Sequence, residues 1–363
     1  MQAKRFNRSS GLAAGLVTAL ALMTMLAPKT AAQTLDNPQR VAFQISTGST
    51  TGTYFPVGAM LAQLLSHPPG VERCEAANAC GPSGLIISTR ASQGSVANLL
   101  AVNSGMVTSG IAQADVVAAA VAGQGPFRKG GPIKQLRVIA NLYGEDLHLV
   151  VAKKSKIKSV ADLRGKRVSL STEGSGTNVT ARAVLAAFRI PDKSIIANYD
   201  SSDQAVELLQ MGKLDAVFFV GGTPVGLLEQ LLDEDVAELI PITGEGLKRL
   251  LAKEPNLSAH TIAKGTYGNV PAVDTVSVDA LWVTDASQPD NLIYGILKSL
   301  YNPANRGTIQ SSRLGSHFMD IASGPKEATA PLHPGAVRFF TEAGILKPGQ
   351  KAALPVSTPV RKS

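Results

Sequence analysis

Two segments of the sequence place small residues and hydroxyls in an order suited to holding an oxyanion. The first is Gln44-Ile45-Ser46-Thr47-Gly48-Ser49-Thr50-Thr51-Gly52-Thr53-Tyr54 and the second is Val168-Ser169-Leu170-Ser171-Thr172-Glu173-Gly174-Ser175-Gly176-Thr177-Asn178. In each, a short apolar strand runs into a Gly/Ser/Thr turn that opens an amphipathic helix. First-turn N–H groups of such a helix have no intrahelical partner, and the positive end of its dipole lies at the turn. Glycines let the backbone come close to a ligand, and hydroxyls add donors. Each turn therefore suits a carboxylate or another small oxyanion. Two of them predict one ligand gripped from both sides, by Thr50, Thr53 and Tyr54 from the first turn and by Ser175, Thr177 and Asn178 from the second. Helix capping alone would also account for Ser175.

Other polar residues stand at helix openings. Ser95, Asn98 and Gln113 could complete the pocket, Asn98 and Gln113 equally as interdomain hydrogen-bonding groups. Thr223, between Gly222 and Pro224, is a further donor. Glu145 could take a ligand ammonium or be an exposed loop acid; on a strand, its neighbour Asp146 would point to the opposite face. Arg90 could clamp a carboxylate through two parallel bonds, against the commoner role of an exposed arginine. Enzyme signatures are missing: there is no G-x-S-x-G elbow, no G-x-x-x-x-G-K-[ST] loop, and no metal-ligand spacing among the five histidines. These residues describe a binder without catalytic group, metal or cofactor.

The elements that must position them alternate. Apolar spacing predicts strands at 41–45, 85–88, 106–111, 137–142, 147–152, 165–170, 215–220 and 276–283. Helices are predicted at 56–65, 95–103, 114–122, 159–163, 178–188, 202–211, 225–232, 291–300 and 335–343. This βαβ order implies parallel sheets flanked by helices, with ligands at the carboxyl ends of the strands. Two crossings of the chain, near 147 and 275, divide it into domain 1 (33–147 plus 276–363) and domain 2 (148–275), with the site in the cleft between them.

Lys4, Arg5 and Arg8 precede an apolar run from 11 to 27, and Thr30-Ala31-Ala32 supplies small residues for cleavage. This predicts a signal peptide at 1–32 and a periplasmic mature chain, the alternative being an uncleaved anchor. Loss of 32 residues from 363 leaves 331, and loss of four basic and no acidic residues lowers the net charge from +8 to +4. With aromatics at only 5%, the scattered lysines and arginines lack the stacking partners of a nucleic-acid surface. Cys74 and Cys80, the only cysteines, predict a local disulfide in an exported chain.

The opening turn continues as Phe55-Pro56-Val57-Gly58, and Gln93-Gly94-Ser95-Val96-Ala97-Asn98-Leu99, Asp162-Leu163-Arg164-Gly165-Lys166-Arg167-Val168, Gly174-Ser175-Gly176-Thr177 and Pro331-Leu332-His333-Pro334-Gly335-Ala336 follow in order. Through these motifs nearly all of the mature chain resembles the TAXI family of solute receptors, which serve TRAP-type secondary transporters in bacterial envelopes. The resemblance implies a two-lobed, type II-like periplasmic binding protein closing on a small organic acid, commonly glutamate or a related dicarboxylate. It implies a TRAP permease as membrane partner. The family usually has Gly where this chain has Ser49, a Gly-rich turn in place of Arg90-Ala91-Ser92-Gln93, and Pro in place of Gly144. Competing expectations are a receptor for an ATP-driven importer of sulfonates, nitrate or pyrimidines, an exported enzyme on the same scaffold, and a sensor subunit for a membrane kinase.

Overall fold

A computed structural model of the chain describes residues 40–71, 74, 76–312 and 318–347. The expected signal peptide at 1–32 lies outside the described residues, as do 33–39 and 348–363 of the expected domain 1. In chain order the elements are β1 Val41–Ser46, α1 Tyr54–Leu65, β2 Leu85–Arg90, α2 Ser95–Asn103, β3 Ser109–Gln113, α3 Ala114–Ala122, β4 Leu136–Ala152, β5 Arg167–Ser169, α4 Gly176–Ala187 and β6 Ile196–Asn198. They continue with α5 Ser202–Gln210, β7 Ala216–Gly221, α6 Gly226–Asp233, β8 Ala237–Leu239, α7 Gly244–Lys253, β9 Ser258–Ile262, β10 Val273–Asp285, α8 Asp290–Leu300, α9 Arg306–Gln310 and α10 Pro334–Glu342.

The strands form a sheet in the order β2-β1-β3-β10-β4-β7-β5-β6, with β8 added on β4 and β9 on β10. Strand β1 pairs in parallel with β2 and β3, and β5 pairs in parallel with β6 and β7. The long strands β4 and β10 run antiparallel to each other between these two parallel groups. The expected α/β fold of mostly parallel groups flanked by helices is thus the observed one.

Strands buried on both faces need apolar residues at successive positions. Strands β4 and β7 supply them: Leu149, Val151, Ala216 and Phe218 enter one apolar cluster, while the alternate residues Val150, Val217 and Phe219 enter another. On β10, Trp282 is wholly buried, stands edge-on to Phe43 at 6.0 Å, and donates its indole N–H to Ser109 Oγ at 3.0 Å. Among the helices, Val96, Leu99 and Val102 seat α2 on the sheet, and Ala114, Val117 and Ala120 seat α3.

Several expected boundaries shift for local reasons. The strands predicted at 137–142 and 147–152 are one strand, because residues 143–146 stay extended and pair with 277–280 of β10. Glu145 is therefore a buried strand residue and not an exposed loop acid. Helix α4 begins at Gly176, two residues earlier than predicted, since the Ser175 hydroxyl accepts the Asn178 N–H at 3.0 Å. Residues Val160–Leu163 form a 3-10 turn closed by a capping box between Ser159 and Asp162. The disulfide between Cys74 and Cys80 is formed, and Cys80 O, Ala79 O and Ala77 O accept bonds from Ser299, Asn305 and Asn302. His333 caps α10 by accepting the Gly335 N–H.

Candidate functional site

Strands β1, β2, β3, β5 and β6 each end in a short turn that opens a helix, and these turns converge. Between them lies a cavity of about 130 Å³, comparable with the ~150 Å³ that accommodates benzene in an engineered protein cavity. Its lining includes the opening residues of five helices: Thr53 and Tyr54 of α1, Ser95 of α2, Gln113 before α3, Ser175 to Thr177 of α4, and Ser201 and Ser202 of α5. Each contributes the partial positive charge of a helix N-terminus. Residues from the first strand group are tied across the cavity to residues from the second. Gly222 N donates to Thr53 Oγ1 at 3.0 Å, Ala97 N to Gly174 O at 3.0 Å, and Gln113 Nε2 to Thr180 Oγ1 at 3.0 Å.

Close approach at this seam depends on glycine. Gly94 caps α2 at φ 116°, a conformation side chains disfavour, and a Cβ there would stand 3.3 Å from Ser175 Cα. At Gly176 a Cβ would meet Gln113 Oε1 at 1.6 Å.

Among the described residues no Lys, Arg or His lines the cavity, and the one carboxyl is that of Glu145, 1% exposed, whose Oε2 accepts the Tyr54 O–H at 2.8 Å. Burial pushes Glu145 up to about 8, with nearby Asp115, Asp146 and Asp279 adding to the rise. Burial and the neighbouring Glu145 raise the Tyr54 phenol as well. Adjacent on β4, Asp146 points the other way, as strand geometry requires. It accepts from Thr223 at 2.7 Å and stands 2.7 Å from His260 Nδ1. His148, on that same face, meets the Tyr267 hydroxyl through Nε2 at 2.8 Å, and burial lowers it to about 4.

Of the residues singled out in the sequence, Thr53, Tyr54, Ser95, Gln113, Glu145, Ser175 and Thr177 line the cavity. Five others stand elsewhere. Asn98 is buried behind the wall, donating to Thr47 O (2.6 Å) and Ile111 O (2.7 Å) and accepting from Ser46 and Ser92 (2.6 Å each). Asn178 donates to Leu170 O and Ser171 O, and Thr223 is engaged with Asp146. Arg90 is exposed at the end of β2, and exposed Thr50 borders a separate groove of about 540 Å³ beside Pro56, Met60 and Phe318. Lining residues not singled out as ligand contacts are Ser49, Ser92, Gln93, Ser171, Thr172, Ser201, Ser202, Phe219 and Val220, together with Gly48, Gly52, Gly94 and Gly176. For Ser201 a signal existed: Ser201 and Gln204 form a capping box that marks the start of α5.

Chemically, the site is a ring of hydroxyls and helix N-termini around one buried carboxyl. The Ser175 hydroxyl is committed to its own turn, donating to Thr172 O and accepting from Asn178 N.

Residues 45–344 match the family model described as the NMT1-like family. Among solved structures, MatC from Rhodopseudomonas palustris with bound malate superposes with a TM-score of 0.53 at 12% identity, over 84% of this chain and 97% of that one. The periplasmic binding protein BugD gives 0.53 at 10% identity, over 85% of this chain and 98% of that one. These likenesses establish a shared fold.

Proposed function

This chain belongs to the NMT1-like family, and from that membership and the geometry of its cleft we propose that it is a periplasmic solute-binding protein for a small organic acid. It binds without transforming its solute and delivers it to a membrane permease of the TRAP type, as a member of the TAXI family. Its lobes are 33–147 with 276–363, and 148–275, joined through β4 and β10. They close over a glutamate-like amino acid or a dicarboxylate.

The observation that carries this is the convergence of five helix N-termini on one cavity with no cationic side chain among the described residues that line it. Such an arrangement attracts an anion through backbone N–H groups and hydroxyls. Micromolar affinity needs about −8 kcal/mol, and hydrogen bonds to a charged group contribute about 1.5–3 kcal/mol each before ordering costs. Four or five of the available donors therefore suffice. The malate held by MatC supports the same solute class, and the commitment of the Ser175 hydroxyl to its own turn supports binding without chemistry.

Native mass spectrometry of freshly purified protein, followed by calorimetry with the released compound, tests this function. A small acid should be retained. A cationic or uncharged solute, or turnover of the retained compound, would overturn it.

A further inference from the structure

The one carboxyl among the described residues that line the cavity is held where burial and neighbouring acids favour its protonated form. Glu145 is 1% exposed, and the only hydrogen bond its carboxyl makes among the described residues is the one Oε2 accepts from Tyr54. The charged and titratable groups near it are phenols and acids: Tyr54 from α1, Asp115 from α3, Asp279 from β10, Tyr143 on β4 itself, and Asp146 of β4 from the opposite face of that strand. Strand β7 contributes Phe219 and Val220, and the openings of α2, α4 and α5 contribute hydroxyls. No first-turn N–H is bonded to it; those of Ala97, Val116 and Asn178 donate to Gly174 O, Asp115 Oδ1 and Ser175 Oγ.

Taking the solute-receptor function above as given, we propose that Glu145 is the residue that selects an anionic solute, entering the cleft as a carboxylic acid that donates its proton in a hydrogen bond to the solute's oxyanion. A solute ammonium at this position would need the ionised carboxylate and would face the positive ends of five helices, so the ammonium partner considered from the sequence is disfavoured. The bond formed is O–H···O⁻. The complex therefore holds one proton that Glu145 releases in free protein at alkaline pH, where solvent must return it on binding. With the carboxyl raised to about 8, affinity is level near neutrality and falls tenfold for each pH unit above that value.

Calorimetry on the full mature chain with succinate and with L-glutamate, from about pH 6.5 to 9.5 in buffers of different ionisation enthalpy, tests this. Expected are the tenfold-per-unit fall above about pH 8 and uptake approaching one proton per solute at the alkaline end. The Glu145→Gln variant keeps a donor but no titrating proton, so it should bind about three- to tenfold more weakly at neutral pH and lose the slope. The wild-type proton count needs no variant and stands if the variant fails to fold. A flat wild-type profile, an affinity that rises with pH, or a slope surviving in Glu145→Gln overturns the role of Glu145 alone. Failure of both acids to bind at any pH overturns the receptor function as well.

Discussion

Replacing Gly176 by alanine measures how tightly the cleft must close. The new methyl would stand 1.6 Å from Gln113 Oε1, 2.5 Å from its Cδ and 2.7 Å from Ser95 Oγ, all well inside van der Waals contact. Gln113 has to swing away, which breaks its 3.0 Å bond to Thr180 Oγ1. A lost hydrogen bond costs about 1 kcal/mol, and a buried amide left without a partner about 1–3 kcal/mol more. The sum, about 2–4 kcal/mol, falls on the arrangement in which α4 meets α2 and α3. Under the proposed two-lobed design an open form escapes the clash, so the penalty belongs to solute binding. Affinity should drop by about 30- to 1,000-fold, while the melting temperature of the solute-free protein moves by less than about 2 °C. Calorimetry and differential scanning fluorimetry read the two quantities. Gly307→Ala on α9, where a Cβ meets nothing within 4 Å, is the control. Affinity within threefold of wild type, or the whole penalty appearing as a lower melting temperature of the solute-free protein, would refute the reasoning.

Glu145→Gln has a stability counterpart to its binding effect. The native carboxyl is raised from its ordinary 4.5 to about 8, so the folded state holds a proton that the unfolded chain releases. The stabilisation is complete below about 4.5 and lost as pH rises through about 8, a change of about 5 kcal/mol. The melting temperature of Glu145→Gln relative to wild type should therefore climb steadily across that window; a pH-independent difference would contradict the assignment. Asn98→Ala strips hydrogen bonds from Thr47 O, Ile111 O and the Ser46 and Ser92 hydroxyls, and should cost about 3 kcal/mol or more in urea denaturation. A loss under about 1 kcal/mol would show the wall does not need it. The double variant Cys74→Ser/Cys80→Ser should fold and bind with a melting temperature a few degrees lower, since Ser299, Asn302 and Asn305 still hold the loop; complete loss of folding would make the staple essential.

Where local chemistry decided the outcome, the sequence was legible. Apolar spacing with Ser95 and Gln113 at the openings marked α2 and α3 to the residue. The two Gly/Ser/Thr turns led to the cavity because helix openings after parallel strands must point to one side. Long-range pairing was not visible. Tyr143-Gly144-Glu145-Asp146 looks like a charged turn until β10 supplies the partners that keep it extended. The residues of β9 are mostly exposed and lack apolar alternation, so only pairing with β10 defines that strand. Helix α7 could have been found from Leu247, Leu250 and Leu251, which share one helical face. Asn98 and Asn178 stand at helix openings like the lining residues, and only their backbone partners show that they hold the walls.

Strand β10 is the last strand among the described residues, yet it occupies the middle of the sheet. Ala280 pairs with Gln113 on one side and with Tyr143 on the other, so β3 and β4 wait unjoined until residues 273–285 have been synthesised. Joining partners so distant in sequence requires closing a very long loop, which delays assembly. A nascent chain of this design stays unfinished, and so can still be threaded, until nearly its whole length exists. For a protein proposed to work beyond the membrane, that delay keeps the polypeptide fit for passage through a narrow translocation pore.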